Sequence, residues 1–220
     1  MASWRVRPAA IRGEWTCFRQ TAPDWPPLFH ETSRTPTQES GRWHREGEGY
    51  AQYMSLSALG AWAEYARRNS IRDEELARHT TRNLWVVFVR EHDIADLSAF
   101  DKYEACGLDA KIAVGGHPPA QALADELREG GFRGVLSPSA ALPNVLNLTV
   151  LGERYEKELR TDISAWRNPD PDSWLPVQIA VRKGPMPTEL CTEAVFEDKR
   201  HESYRDWLTS KGRKLPKDPP

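Results

Sequence analysis

Several features that announce familiar chemistries are missing from this chain of 220 residues. Cysteine is scarce: Cys17, Cys106 and Cys191 are odd in number and far apart. They read as free thiols of a reducing compartment rather than a disulfide frame. No C-x-x-C occurs, and His30, His44, His79, His92, His117 and His201 include no i, i+4 pair on a plausible helix, which argues against zinc or any other metal. There is no Gly-x-Ser-x-Gly nucleophile elbow. A Gly-x-Gly-x-x-Gly phosphate loop is absent too, since Gly115-Gly116 lacks that spacing, and this counts against a Rossmann dehydrogenase. Charge of one sign is not in excess: 30 basic residues face 32 acidic ones, for a formal net charge of −2. Without a basic stripe, direct nucleic-acid binding is not expected. No apolar run approaches the length of a spanning helix, and the first residues lack a charged stretch followed by an apolar one. A cytoplasmic protein without membrane association is the expectation.

What is present fits one domain over residues 1–220. Hydrophobic residues make up 39%, enough for a core at this length. Residues 21–40, rich in Pro, Thr and Ser, read as a loop. A short strand is expected over 50–56, with Ser57 capping a helix through Ala58, Ala61, Trp62, Tyr65 and Ala66. The run Leu84-Trp85-Val86-Val87-Phe88-Val89 has the composition of a strand buried on both faces. Pro118 and Pro119 open a helix that stops at Gly130-Gly131. Further strands are expected over 132–136, 145–151 and 175–181, and an amphipathic segment over 201–208. The tail, 210–220, reads as a frayed end. Trp166, Trp174 and Trp207 gather in the last third, as a subdomain core or an interface. The sum is an α+β domain with a mixed or antiparallel sheet.

Residues with chemical potential concentrate between 41 and 64. Gly41 frees a turn, and Arg42 follows with a planar fork that matches a phosphate bidentately. A surface ion pair is the competing role for Arg42. Trp43 beside it either walls a pocket or packs into the core. Tyr53 lies 11 positions later, in the expected strand, where its ring can stack on a flat ligand or simply fill the core; Tyr50 competes for the same role. Glu64, another 11 positions on, sits among Ala61, Trp62, Ala63, Tyr65 and Ala66. An acid in so apolar a stretch is unusual unless paired or functional. Far downstream, Gly134-Val135-Leu136-Ser137-Pro138-Ser139 is a short apolar strand ending in serines, which can bind a ligand or form a turn.

Taken jointly these residues resemble the RES family, named for an arginine, a glutamate and a serine. The likeness comprises Gly41-Arg42-Trp43, Gly47, Tyr53, Ser55, Ser57, Ala61 and Glu64, then the strand 84–89 and Asp93-Ile94-Ala95-Asp96-Leu97. It continues through the helix 120–127, Gly134, Pro138-Ser139 and Asn147-Leu148-Thr149-Val150-Leu151. It spans about residues 41–152, leaving 153–220 as a divergent C-terminal extension. The family's arginine, tyrosine, glutamate and serine fall on Arg42, Tyr53, Glu64 and Ser139. His44 stands where the family often has asparagine.

The resemblance implies an ADP-ribosyltransferase-like fold, a split and strongly bent mixed β-structure flanked by helices, that grips NAD+ as a substrate without a metal. It implies cleavage of the nicotinamide–ribose bond by an NAD+ glycohydrolase or phosphorylase. Glu64 would face the ribosyl cation, Arg42 would anchor the pyrophosphate, Tyr53 would position nicotinamide or its ribose, and Ser139 would hydrogen-bond substrate near the reacting end. Trp43 and His44 would wall the cleft. It further implies a toxin of a toxin–antitoxin pair, held by a protein antitoxin, often a helix-turn-helix repressor. Two alternatives share the same cleft: an ADP-ribosyltransferase acting on a protein or nucleic acid, and a non-catalytic NAD+-binding protein.

Overall fold

A computed structural model describes residues 4–25, 38–48, 50–152 and 182–214. Its strands are β1 (Ala10–Thr21), β2 (Ala51–Ser55), β3 (Thr81–Asp96), β4 (Gly134–Pro138), β5 (Leu146–Leu151) and β6 (Arg182–Pro185). They form one mixed sheet in the order β1-β2-β5-β4-β3-β6, and an additional β1–β3 pairing closes a circuit of five strands. Only β3 and β4 run parallel; every other pair is antiparallel. The closure at β1–β2 is a single pair, Phe18 against Ser55. β3 lies along β1 for nearly its whole length. Its other edge pairs with β6 at one end, residues 81–84, and with β4 at the other, residues 94–96. The sheet is therefore split along that edge.

Cys17, Met54, Val87, Val89, Ile94, Leu136, Leu148 and Val150, drawn from all five circuit strands, form one buried cluster. Alternate residues on the other side of the sheet, among them Ala51, Ala95, Val135 and Leu151, pack under α3 (Phe100–Ala105), a 3-10 turn (Ala110–Ala113) and α4 (His117–Glu129). This side-to-side alternation is the period of a pleated strand. The run 84–89 follows it: Val87 and Val89 are buried, whereas Val86 and Phe88 are half-buried, so burial on both faces is not what the strand shows.

Local signals place most of the helices. α1 (Ala58–Arg68) starts where Ser57 Oγ accepts from the Gly60 N–H at 3.3 Å. A Cβ on Gly60 would collide with Ser55 Oγ and come within 2.7 Å of Val145 Cγ1, so this glycine lets α1 settle onto the strand ends. α4 opens at its prolines and is capped by Gly130, with Gly131 in the left-handed region at φ 79°. The expected strand over 132–136 begins later, at Gly134. The Phe132 N–H still bonds back to Leu127 O at 2.9 Å and the ring is buried under α4.

A third cluster joins Trp62, Ala63 and Ala66 of α1 to Met186, Leu190, Cys191, Ala194 and Phe196, which lie in and beside α5 (Leu190–Glu193). The last helix, α6 (Glu202–Ser210), matches the amphipathic segment, and Trp207 stacks on Tyr204 and lies against Phe100. α2 (Glu74–His79) completes the set. The expected strand 175–181, Trp166 and Trp174 lie outside the described residues, as do most of the loop 21–40 and the end of the tail.

Candidate active site

Glu64 sits one turn beyond Gly60, on the face of α1 that approaches the ends of β4 and β5. Two side chains meet its Oε1: Ser139 Oγ donates at 2.7 Å and Asn147 Nδ2 at 2.6 Å. Ser139 is wholly buried, and its Oγ accepts from the N–H groups of Ala141 and Leu142, each at 3.1 Å. With both lone pairs filled, the hydroxyl proton has one direction left, toward the carboxylate. The sequence placed this hydroxyl against substrate; the structure places it against Glu64. Among the described residues nothing hydrogen-bonds Oε2, so one carboxylate oxygen is fixed and the other is open.

The loop that holds Ser139 is itself stitched down. His201 Nε2 donates to Ser139 O at 2.9 Å, while its Nδ1 accepts from the Tyr204 N–H at 3.4 Å, which caps α6. Those partners require the neutral imidazole with its proton on Nε2, and burial lowers the His201 pKa in the same sense. Arg67, three residues beyond Glu64, donates to Ala140 O at 3.1 Å and Val195 O at 2.6 Å. The Val195 N–H in turn reaches Ala141 O at 2.8 Å. The C-terminal segment, which the sequence left without a role, thus anchors the serine loop.

Arg42 comes from a turn in which Gly41 and His44 form an isolated bridge. Tyr53 OH accepts from the Trp43 N–H at 2.8 Å and bonds His44 Nδ1 at 2.8 Å. A Cβ on Gly41 would lie 2.6 Å from that hydroxyl, so only glycine admits it. Gln121 donates to the carbonyls of Gly41 and His44, and Arg128 to that of Trp43. Trp43 is 2% exposed and belongs to the core, and His44 is 1% exposed behind Tyr53. Burial raises the Tyr53 pKa far above the usual phenol range. These three residues hold the turn from behind, and of the sequence-chosen set around it only Arg42 reaches the cleft.

The Arg42 guanidinium is positioned by Gly115 O at 2.7 Å and Ile112 O at 3.3 Å. Burial lowers its pKa most, the Glu64 carboxylate opposes that shift, and Arg67 adds to it. Arg42 and Arg67 open onto a cleft of about 460 Å³. One wall carries Lys111 and His117, and the other is built by residues 195–208. Among the described residues its charged lining is Arg42, Arg67, Lys111, Lys199, Arg200 and Arg205 against Glu197. A lining of that sign attracts anions. No group of three or more metal-ligating side chains occurs among the described residues.

Of the four residues read from the sequence as the reacting set, Glu64 and Ser139 touch, Arg42 faces the same carboxylate electrostatically, and Tyr53 supports the Arg42 turn. Asn147, Arg67 and His201 were given no part in the site by the sequence. Asn147 had a legible signal, an amide near the start of a largely apolar strand; Arg67 shares a helix face with Glu64 by its i+3 spacing.

The RES domain family model matches residues 6–172. It begins before the resemblance drawn from residue 41, because β1 belongs to the domain. No curated protein matches. The fold resembles the crystal structure of the M. tuberculosis MbcT–MbcA toxin–antitoxin complex, with a TM-score of 0.59 and 21% identity over 84% of this chain and 90% of that one. At that identity the likeness establishes the fold, the ADP-ribosyltransferase-like arrangement implied by the resemblance. With the family match spanning most of its length, the chain belongs to the RES domain family.

Proposed function

We propose that this protein cleaves the nicotinamide–ribose bond of NAD+ and acts as the toxin of a toxin–antitoxin pair. The observation that carries the chemistry is Glu64, with Oε1 held by Ser139 and Asn147 and Oε2 open, beside a cationic cleft. Breaking the bond sends its electron pair to the nicotinamide ring nitrogen, which leaves neutral, and builds positive charge on the ribose, as in glycoside hydrolysis. A carboxylate already oriented by two donors stabilises that charge with no reorganisation at the moment of reaction. Its open oxygen is suited to accept from a ribose hydroxyl. Arg42 and Arg67 meet the pyrophosphate. Water or inorganic phosphate then supplies a lone pair to the ribosyl carbon, and a water acceptor loses its proton to solvent.

The toxin role draws on the family and on the structural neighbour, which is a toxin–antitoxin complex. By that reading a protein antitoxin restrains the enzyme in the cytoplasm. Incubating the purified protein with NAD+ and following free nicotinamide tests the reaction, with phosphate added or withheld to identify the acceptor. Labelled cofactor appearing on macromolecules would assign the transferase alternative. No nicotinamide under any condition would leave a binding protein.

A further inference from the structure

We infer that the cleft prefers a dinucleotide bearing a third phosphate on its adenosine ribose, an NADP+-type substrate, over NAD+. This rests on the proposed cleavage reaction and concerns the outer part of the same cleft. Two cations stand deep in it. Arg42 and Arg67 are half-buried, and among the described residues the hydrogen bonds of both go to neutral carbonyls. The acid whose charge acts on Arg42 is Glu64, which the proposed reaction turns toward the reacting ribose, so two guanidiniums match the two charges of a pyrophosphate.

The mouth is more basic than such a ligand needs. Lys111 projects from the 3-10 turn, Lys199 from the segment leading into α6, and Arg205 from one turn beyond His201. Glu197 is the one acid among the described lining residues. Arg205 also pairs with Asp206 at 3.1 Å, but the two side chains are 46% and 69% exposed, so that pair neutralises little. With the nicotinamide ribose at Glu64 and the pyrophosphate at Arg42 and Arg67, the adenosine end extends toward this mouth. Neutral adenosine offers the mouth cations hydrogen-bond acceptors and a ring face but no negative charge. A phosphate monoester there brings nearly two negative charges and three acceptor oxygens, the ligand that lysine and arginine recognise best.

The test gives the full chain NAD+ and NADP+ separately at matched ionic strength, because exposed charges are screened by salt. Nicotinamide release should show kcat/KM about tenfold or more higher for NADP+, and the Lys199→Ala/Arg205→Ala double variant should shrink that ratio at least about fivefold. Both positions are exposed, so melting should not change. A higher or equal kcat/KM for NAD+ overturns the inference while leaving the cleavage reaction standing, and so does a ratio unmoved in the double variant. If neither dinucleotide is cleaved, the reaction fails and calorimetry decides the preference. Adenosine 2′,5′-bisphosphate binding about tenfold tighter than AMP supports it, and equal affinities overturn it.

Discussion

Replacing Glu64 with glutamine separates charge from shape. Both donors land on Oε1, so a glutamine carbonyl can take that position and keep the Ser139 and Asn147 bonds, with its NH2 group in the place of Oε2. Hydrogen bonds to an ionised acceptor contribute roughly 1 kcal/mol more than neutral ones, so stability should fall by about 1–2 kcal/mol. For a chain of this size that lowers Tm by several degrees and leaves the fold intact. The transition state loses far more, because the ribosyl cation no longer faces a negative charge. Removing one preorganised electrostatic contact typically removes about 3–4 kcal/mol, or two to three orders of magnitude in turnover. The assay is single-turnover nicotinamide release by Glu64→Gln beside the wild type, with substrate affinity measured calorimetrically. A folded variant that turns over at the wild-type rate would refute the assignment. A variant that loses affinity but not kcat would make Glu64 a binding group instead.

Four further outcomes follow from the same geometry. Asn147→Ala leaves Ser139 as the sole described donor to Glu64, so kcat should drop about tenfold with the substrate Kd little changed, and an unchanged kcat would remove Asn147 from the site. Arg42→Lys keeps a charge but loses the planar guanidinium, whose Nη1 alone is held by Gly115 and Ile112, so dinucleotide affinity should weaken while melting holds; equal affinity by calorimetry would return Arg42 to an ordinary structural cation. Tyr53→Phe strips the buried Trp43 N–H of its acceptor and should lower stability by about 1–3 kcal/mol in urea unfolding, whereas unchanged stability with a raised KM would mean the hydroxyl meets substrate instead. Burial lowers the His201 pKa, so the folded protein refuses a proton that the unfolded chain takes up below about pH 6.5. Stability is therefore fully present above that value and lost as pH falls; the loss between pH 7.5 and 5.5 should shrink in His201→Gln, and an equal loss in both proteins would place its origin elsewhere.

The sequence by itself determined what is written in short stretches of chain. Ser57 starts α1, Pro118 and Gly130 bound α4, and the 51–55, 146–151 and 202–210 elements stand where composition put them, because caps, ring constraints and side-chain period act over a few residues. The family pattern picked out Arg42, Glu64 and Ser139. β1 stayed hidden: Arg12, Glu14 and Arg19 interrupt Ile11, Trp15 and Cys17, and the strand is stabilised by β3, some 70 residues away. Tertiary structure alone decided the division of labour. It turned Ser139 from a substrate contact into a clamp on Glu64, brought Asn147 to the same oxygen, and folded Tyr53 behind the Arg42 turn. It also made residues 195–208, which carried no motif, the second wall of a cationic cleft. A motif records which side chains are present; which of a carboxylate's two oxygens is fixed and which is left open depends on the β4 and β5 strand ends meeting α1, and that contact exists only once the sheet has closed.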